Sequence, residues 1–183
     1  QEKAPTIEHI EPSAVASEPS EEEVEIKAVI DRILDAVGNG DAQELKDLSF
    51  EKAVLGWTYE KDGYWMHKEV TIEEYLARIS ETENPTPISE TAIECNISVS
   101  KGRLANVNLP TVISKFGVAS SQEINHVTMM KENDQWKLFS VAWTAQKIPE
   151  EERVFDMKLF ARGYAQVWGS QKPGFVAAFF AED

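Results

Sequence analysis

The chain has 183 residues, 42% of them apolar, and 32 acidic against 18 basic side chains give it a net charge of −14. That length suits one full core plus extra segments and is short for two average domains. So acidic a surface is repelled by phosphate backbones and anionic bilayers, which disfavours nucleic acid as a partner. No run approaches the ~18 consecutive apolar residues of a membrane span, and the single cysteine, Cys95, rules out an intramolecular disulfide and any CxxC metal or redox motif.

Residues 1–20, with Pro5, Pro12 and Pro19 among Ser and Glu, read as a solvated, disordered leader. The first residue is Gln1 rather than Met. A removed signal peptide ahead of such a tether would place the protein in the periplasm or outside the cell, and a trimmed cytoplasmic chain is the alternative. Ser20 and Glu23 make an S-x-x-E capping box that opens a helix, along which Ile26, Val29, Ile30, Ile33 and Val37 share a face. Gly38-Asn39-Gly40 stops it. Asp41 and Glu44 open a short second helix carrying Leu45 and Leu48.

After Phe50 the pattern becomes strand-like. Ala53 to Tyr59 and Tyr64 to Val70 flank the turn signal Asp62-Gly63, and a third capping box, Thr71 with Glu74, opens a helix bearing Ile72, Tyr75, Leu76 and Ile79. Glu81 to Pro87 is a loop. Four runs of alternating character follow, Ile93 to Val99, Leu104 to Ile113, Gln122 to Met130 and Trp136 to Thr144. They are joined at Lys101-Gly102, Phe116-Gly117 and Asn133-Asp134, which predicts an antiparallel meander. Helices followed by such a sheet make an α+β domain over 21–148.

The C-terminal segment, 149–183, is helical in pattern through Val154, Met157, Phe160, Ala161, Tyr164 and Trp168 to Gly169, with a second short helix from Pro173 to Phe180. Laid without a gap over the first two helices so that Ile26 falls on Met157, Lys27 meets Lys158, Val37 meets Trp168 and Gly38 meets Gly169. This reads as the start of a second, truncated repeat. Either a longer parent protein continues it, or the helices serve as an arm whose apolar face needs a partner surface.

Three stretches carry a family resemblance: Gly38-Asn39-Gly40-Asp41, Gly102-Arg103-Leu104-Ala105-Asn106-Val107 and Asp134-Gln135-Trp136-Lys137-Leu138. The tail through Tyr164-Ala165-Gln166-Val167-Trp168 adds a fourth. On these the chain resembles the snoaL-like and lumazine-binding branches of the nuclear transport factor 2-like superfamily. The resemblance implies a cone of helices on a curved antiparallel sheet, a pocket at its open end, and a homodimer formed through the sheet. Members include isomerases, cyclases, dehydratases and non-catalytic binders. A His-Cys-Gly stretch found in lumazine-binding relatives is replaced here by Ser121-Gln122-Glu123, so its role does not transfer.

Candidate chemistry is sparse. His126 shares a strand face with Ile124, Thr128 and Met130. If that face lines the pocket, its imidazole is a candidate general base, and otherwise it is a structural or surface histidine. Trp57, Trp65 and His67 are candidates for an aromatic rim around a flat ligand, or for a core or dimer-contact cluster. Glu94, Glu123 and Glu60 are the nearest analogues of a buried carboxylate base, and all three look exposed. Cys95 reads as an apolar filler. No metal-ligand spacing, phosphate loop, dinucleotide fingerprint or nucleophile elbow occurs, so neither metal nor cofactor is expected. The leading expectation is a non-catalytic domain that binds a small apolar or aromatic ligand or supports assembly. An isomerase, cyclase or dehydratase using His126 and a purely structural oligomerisation module are the alternatives.

Overall fold

The computed structural model describes residues 18–81 and 88–169, apart from the side chains of Arg162, Gln166 and Val167. Most of the leader and the helix expected over Pro173–Phe180 lie outside the described residues. Helix α1 (Glu21–Asn39) begins as its sequence predicts: the Glu23 N–H donates to Ser20 Oγ, and Ser20 N–H donates to the Glu23 carboxylate at 2.6 Å. It ends at Gly40, whose φ of 59° is the left-handed conformation that glycine adopts without strain. Helix α2 (Ala42–Asp47) is capped by Asp41, and α3 (Ile72–Glu81) by the reciprocal Thr71–Glu74 pair.

The strands are β1 (Ser49–Lys61), β2 (Tyr64–Thr71), β3 (Ser89–Ala92), β4 (Asn96–Ser100), β5 (Leu104–Lys115), β6 (Val118–Glu132) and β7 (Gln135–Lys147). Four reversals fall at the predicted dipeptides, with positive φ at both residues of Asp62-Gly63, Lys101-Gly102, Phe116-Gly117 and Asn133-Asp134. The sheet runs β2-β1-β7-β6-β5-β3, with β4 also on β5. The β4–β7 meander is as expected.

The sheet as a whole is mixed rather than antiparallel, because β1 lies parallel to β7, Trp57 opposite Trp143. Period-2 alternation marks a strand but not its partner, and this pairing joins segments far apart in the chain. The run expected from Ile93 to Val99 is strand only from Asn96, as β4, and the short β3 (Ser89–Ala92) precedes it. Beside the break, Ile93 N–H donates to the Pro110 carbonyl at 2.8 Å. An antiparallel residue aims its N–H and C=O at the same neighbour, so the N–H that Pro110 lacks falls where β3 has stopped. Ile93 is left 60% exposed, and Cys95 is half-buried against the core.

Helices α1 to α3 cover one face of the sheet. Ile26, Ile30 and Leu34 of α1 join Val107, Leu109 and Met129 in one buried cluster, and Leu45, Ala53, Leu55, Val70 and Ile72 form a second. Beyond β7, Glu150–Glu152 is a single 3₁₀ turn rather than the first turn of a long helix. Helix α4 (Met157–Gly169) starts later, where Asp156 Oδ1 accepts the Lys158 N–H at 2.7 Å. Phe160 of α4 sits over the Phe116-Gly117 turn.

Candidate functional site: an acidic end in an apolar pocket

Between α1 and the inner face of the sheet lies a pocket of about 250 Å³. Its walls are apolar: Ile30 and Val37 from α1, Leu109 and Ile113 from β5, Val127 from β6 and Val141 from β7. Four other lining side chains are polar, Tyr75 of α3, Glu90 of β3, and Glu123 and Asn125 of β6. Trp143 also lines it and stacks on Trp57, with ring centroids 5.1 Å apart and planes 15° from parallel.

Strand register explains how the polar groups converge. Glu123 and Asn125 alternate with Ile124 and His126 on β6, and their partners on β5 are Thr111 and Leu109. Glu90 enters from the neighbouring β3, opposite Ile113. Glu90 Oε1 accepts hydrogen bonds from Thr111 Oγ1 (3.0 Å) and Asn125 Nδ2 (3.2 Å), and Asn125 also donates to the Leu109 carbonyl. Glu90, Thr111 and Asn125 are all buried, so each needs the partner that the others supply.

Burial holds the Glu90 carboxyl above its ordinary range, against the lowering effect of the Thr111 and Asn125 bonds. Glu123 is raised to about 7, chiefly by burial and then by the charge of Glu90. The Tyr75 hydroxyl is pushed up to about 12 by burial and by the same two carboxyls. Of these groups Glu123 is the one placed to give or take a proton near neutral pH.

The folded chain therefore keeps a proton on Glu123 that the unfolded chain, at the usual 4.5, releases. The contribution of Glu123 to stability falls as pH rises from about 4.5 to about 7 and changes no further above that. Glu123→Gln is expected to stabilise the protein by about 1–2 kcal/mol at pH 8, a figure discounted because the carboxyl is partly open to solvent, and to have almost no effect at pH 4. Urea midpoints at the two pH values measure this. An equal gain at both, or a loss at pH 8, would show that Glu123 carries no burial penalty.

The residues expected at the site are dispersed. His126 is exposed on the outer face, where with Asn108 and Thr128 it borders a shallow depression, and it does not share the pocket with any carboxylate. Trp57 is half-buried on the inner face behind Trp143. Trp65 and His67 pair with Glu60 and Thr58 of β1, whose side chains lie on the outer face. Trp65 is 67% exposed, so these three do not form one rim. Glu123 was expected to be exposed and instead lines the pocket. Glu90 carried no sequence signal, since it lies in a four-residue strand beyond a proline-rich loop. The strand face that Glu123 and Asn125 share with the buried Val127 and Met129 is the signal that could have placed them inward. Among the described residues, no group of three or more His, Cys, Asp or Glu is placed to hold a metal ion, and no helix is long and apolar enough to cross a membrane.

No protein-family profile and no curated protein matches the sequence. Solved structures do. A nuclear transport factor 2-like protein from Cytophaga hutchinsonii is 16% identical, covers 70% of this chain and all of its own length, and superposes with a TM-score of 0.54. A nuclear transport factor 2-like protein of unknown function from Pseudomonas putida is also 16% identical, over 74% of this chain and 94% of its own, with a TM-score of 0.52. A protein of unknown function from Mycobacterium tuberculosis, at 10% identity, covers 80% and 86% with a TM-score of 0.55. At such identities the likeness is one of fold: the chain folds similarly to nuclear transport factor 2-like proteins.

Proposed function

We propose that the chain is a small-ligand-binding domain whose pocket takes a mainly apolar molecule of about a dozen non-hydrogen atoms. The observation that carries this reading is the pocket itself, about 250 Å³ with apolar walls and a few convergent polar groups, the usual make-up of a small-molecule site. The volume equals that of about eight waters at ~30 Å³ each. The sheet is read as curving around the helices into a cone, supported by register shifts between Ser49 and Val54, Ile113 and Ser114, and Thr128 and Met129, since bulges bend strands. The motif stretches Gly38–Asp41 and Gly102–Val107 support a place in the snoaL-like branch.

A second copy of the chain is the proposed occupant of the outer sheet face. Asn96, Ser98, Asn106, Asn108, Ile124, His126, Thr128, Ala142 and Thr144 give its centre no Asp, Glu, Lys or Arg, so two chains of net charge −14 can meet there with least repulsion.

The test is binding of a neutral aryl alcohol to the full chain, followed by thermal shift and tryptophan fluorescence, because Trp143 lines the pocket. The alcohol is expected to raise Tm, and Val141→Trp, which fills the cavity, to weaken binding at least tenfold. Undiminished binding by that variant would place the ligand elsewhere. Native mass spectra of the same sample report copy number, and a strictly monomeric chain at high concentration would remove the dimer.

A further inference from the structure

We propose that the ligand is a lipophilic cation, an amine whose apolar body fills the α1–sheet pocket and whose ammonium N–H groups donate to the carboxyls of Glu90 and Glu123. The proposal rests on the ligand-binding reading above and names the chemical class. Both acids line one apolar pocket, and among the described side chains no Lys, Arg or His lines it with them. An anionic ligand would find no cation to pair with and would oppose ionisation of both acids, whereas an ammonium supplies their counter-charge. Glu90 is already aimed, because Thr111 and Asn125 both donate to its Oε1. These donors favour the ionised carboxylate that a cation needs. The net charge of −14 adds a field that attracts cations towards the chain.

The surroundings of Glu123 make this a proton-for-cation exchange. It is flanked by Thr111 of β5 and Ala145 of β7, and faced by Glu90 of β3 and Tyr75 of α3. Helices α1 and α2 add only apolar side chains to the pocket. Near neutrality the empty pocket holds a proton on Glu123 that a bound ammonium displaces, so affinity rises with pH.

The experiment is calorimetric titration of the full chain with three probes of one shape, 4-phenylbutylamine, 4-phenylbutan-1-ol and 4-phenylbutyrate. At pH 8.5 the amine is expected to bind at least tenfold tighter than the alcohol. At pH 5.5 the amine is expected to bind about 30-fold more weakly than at pH 8.5, the factor set by one proton on a group titrating at about 7. At pH 7 its heat should vary with the ionisation enthalpy of the buffer, as release of that proton requires. In Glu123→Gln and Glu90→Gln, which keep the side-chain shape, the amine's advantage over the alcohol should disappear. Alcohol binding as tight as amine binding at pH 8.5, or a preference for the carboxylate, overturns the cation and leaves the ligand pocket standing. Failure of all three probes overturns both.

Discussion

Ile26→Ala is expected to destabilise the protein by about 3 kcal/mol, within the roughly 2–5 kcal/mol seen when a buried aliphatic side chain is cut back to a methyl group. Ile26 has no exposed surface and belongs to the cluster that joins α1 to β5, β6 and β7. Close packing leaves neighbours little freedom to fill the hole, so lost transfer energy and cavity add together. Val24, one residue pair earlier on the same helix, is 56% exposed, and Val24→Ala should change stability by less than about 0.5 kcal/mol. The difference in urea midpoint between these two variants, with unchanged slopes, measures the effect. Equal midpoints would mean that α1 is not held through Ile26.

Gly117→Ala is expected to loosen α4 specifically. Gly117 has φ of 82°, and a Cβ there would come within 2.5 Å of Phe160 Cβ and 2.9 Å of Phe160 Cα and Phe155 Cε2. The Phe160 atoms belong to or adjoin the α4 backbone, so relief requires the helix to move. Gly63→Ala is the control, because it has the same left-handed backbone, φ of 80°, but nothing within 4 Å of the added carbon. The control should cost about 1–2 kcal/mol for conformation alone. Gly117→Ala should cost about 1–3 kcal/mol more through overpacking, and α4 amides should lose hydrogen-exchange protection while α1 keeps its own. Unchanged protection in α4 would show that the helix does not rest on the Phe116-Gly117 turn.

How far the sequence went follows the range of the interactions concerned. The three caps at Ser20, Asp41 and Thr71, the left-handed stop at Gly40 and the four two-residue reversals were all readable, because each depends on a few neighbouring side chains and their backbone dihedrals. The β4–β7 meander was readable for a related reason. Adjacent strands joined by tight turns have little choice but to pair with each other.

The parallel β1–β7 pairing was not readable, since alternation gives a strand two faces but no partner. The same ambiguity misplaced the chemistry. Parity grouped Ile124, His126 and Thr128 correctly, and only the packing of α1 on Val127 and Met129 decided that the opposite set, with Glu123 and Asn125, faces inward. Glu90 is a stronger case, an acidic residue in a short edge strand whose burial depends on Thr111 and Asn125 from two other strands. What the sequence determined alone was the local elements and the α+β class, because caps, turns and periodicity act within a few residues. Which face is buried, and so which carboxyls share the pocket, was decided by tertiary packing, because desolvation and charge coupling depend on groups that the chain brings together only when it folds.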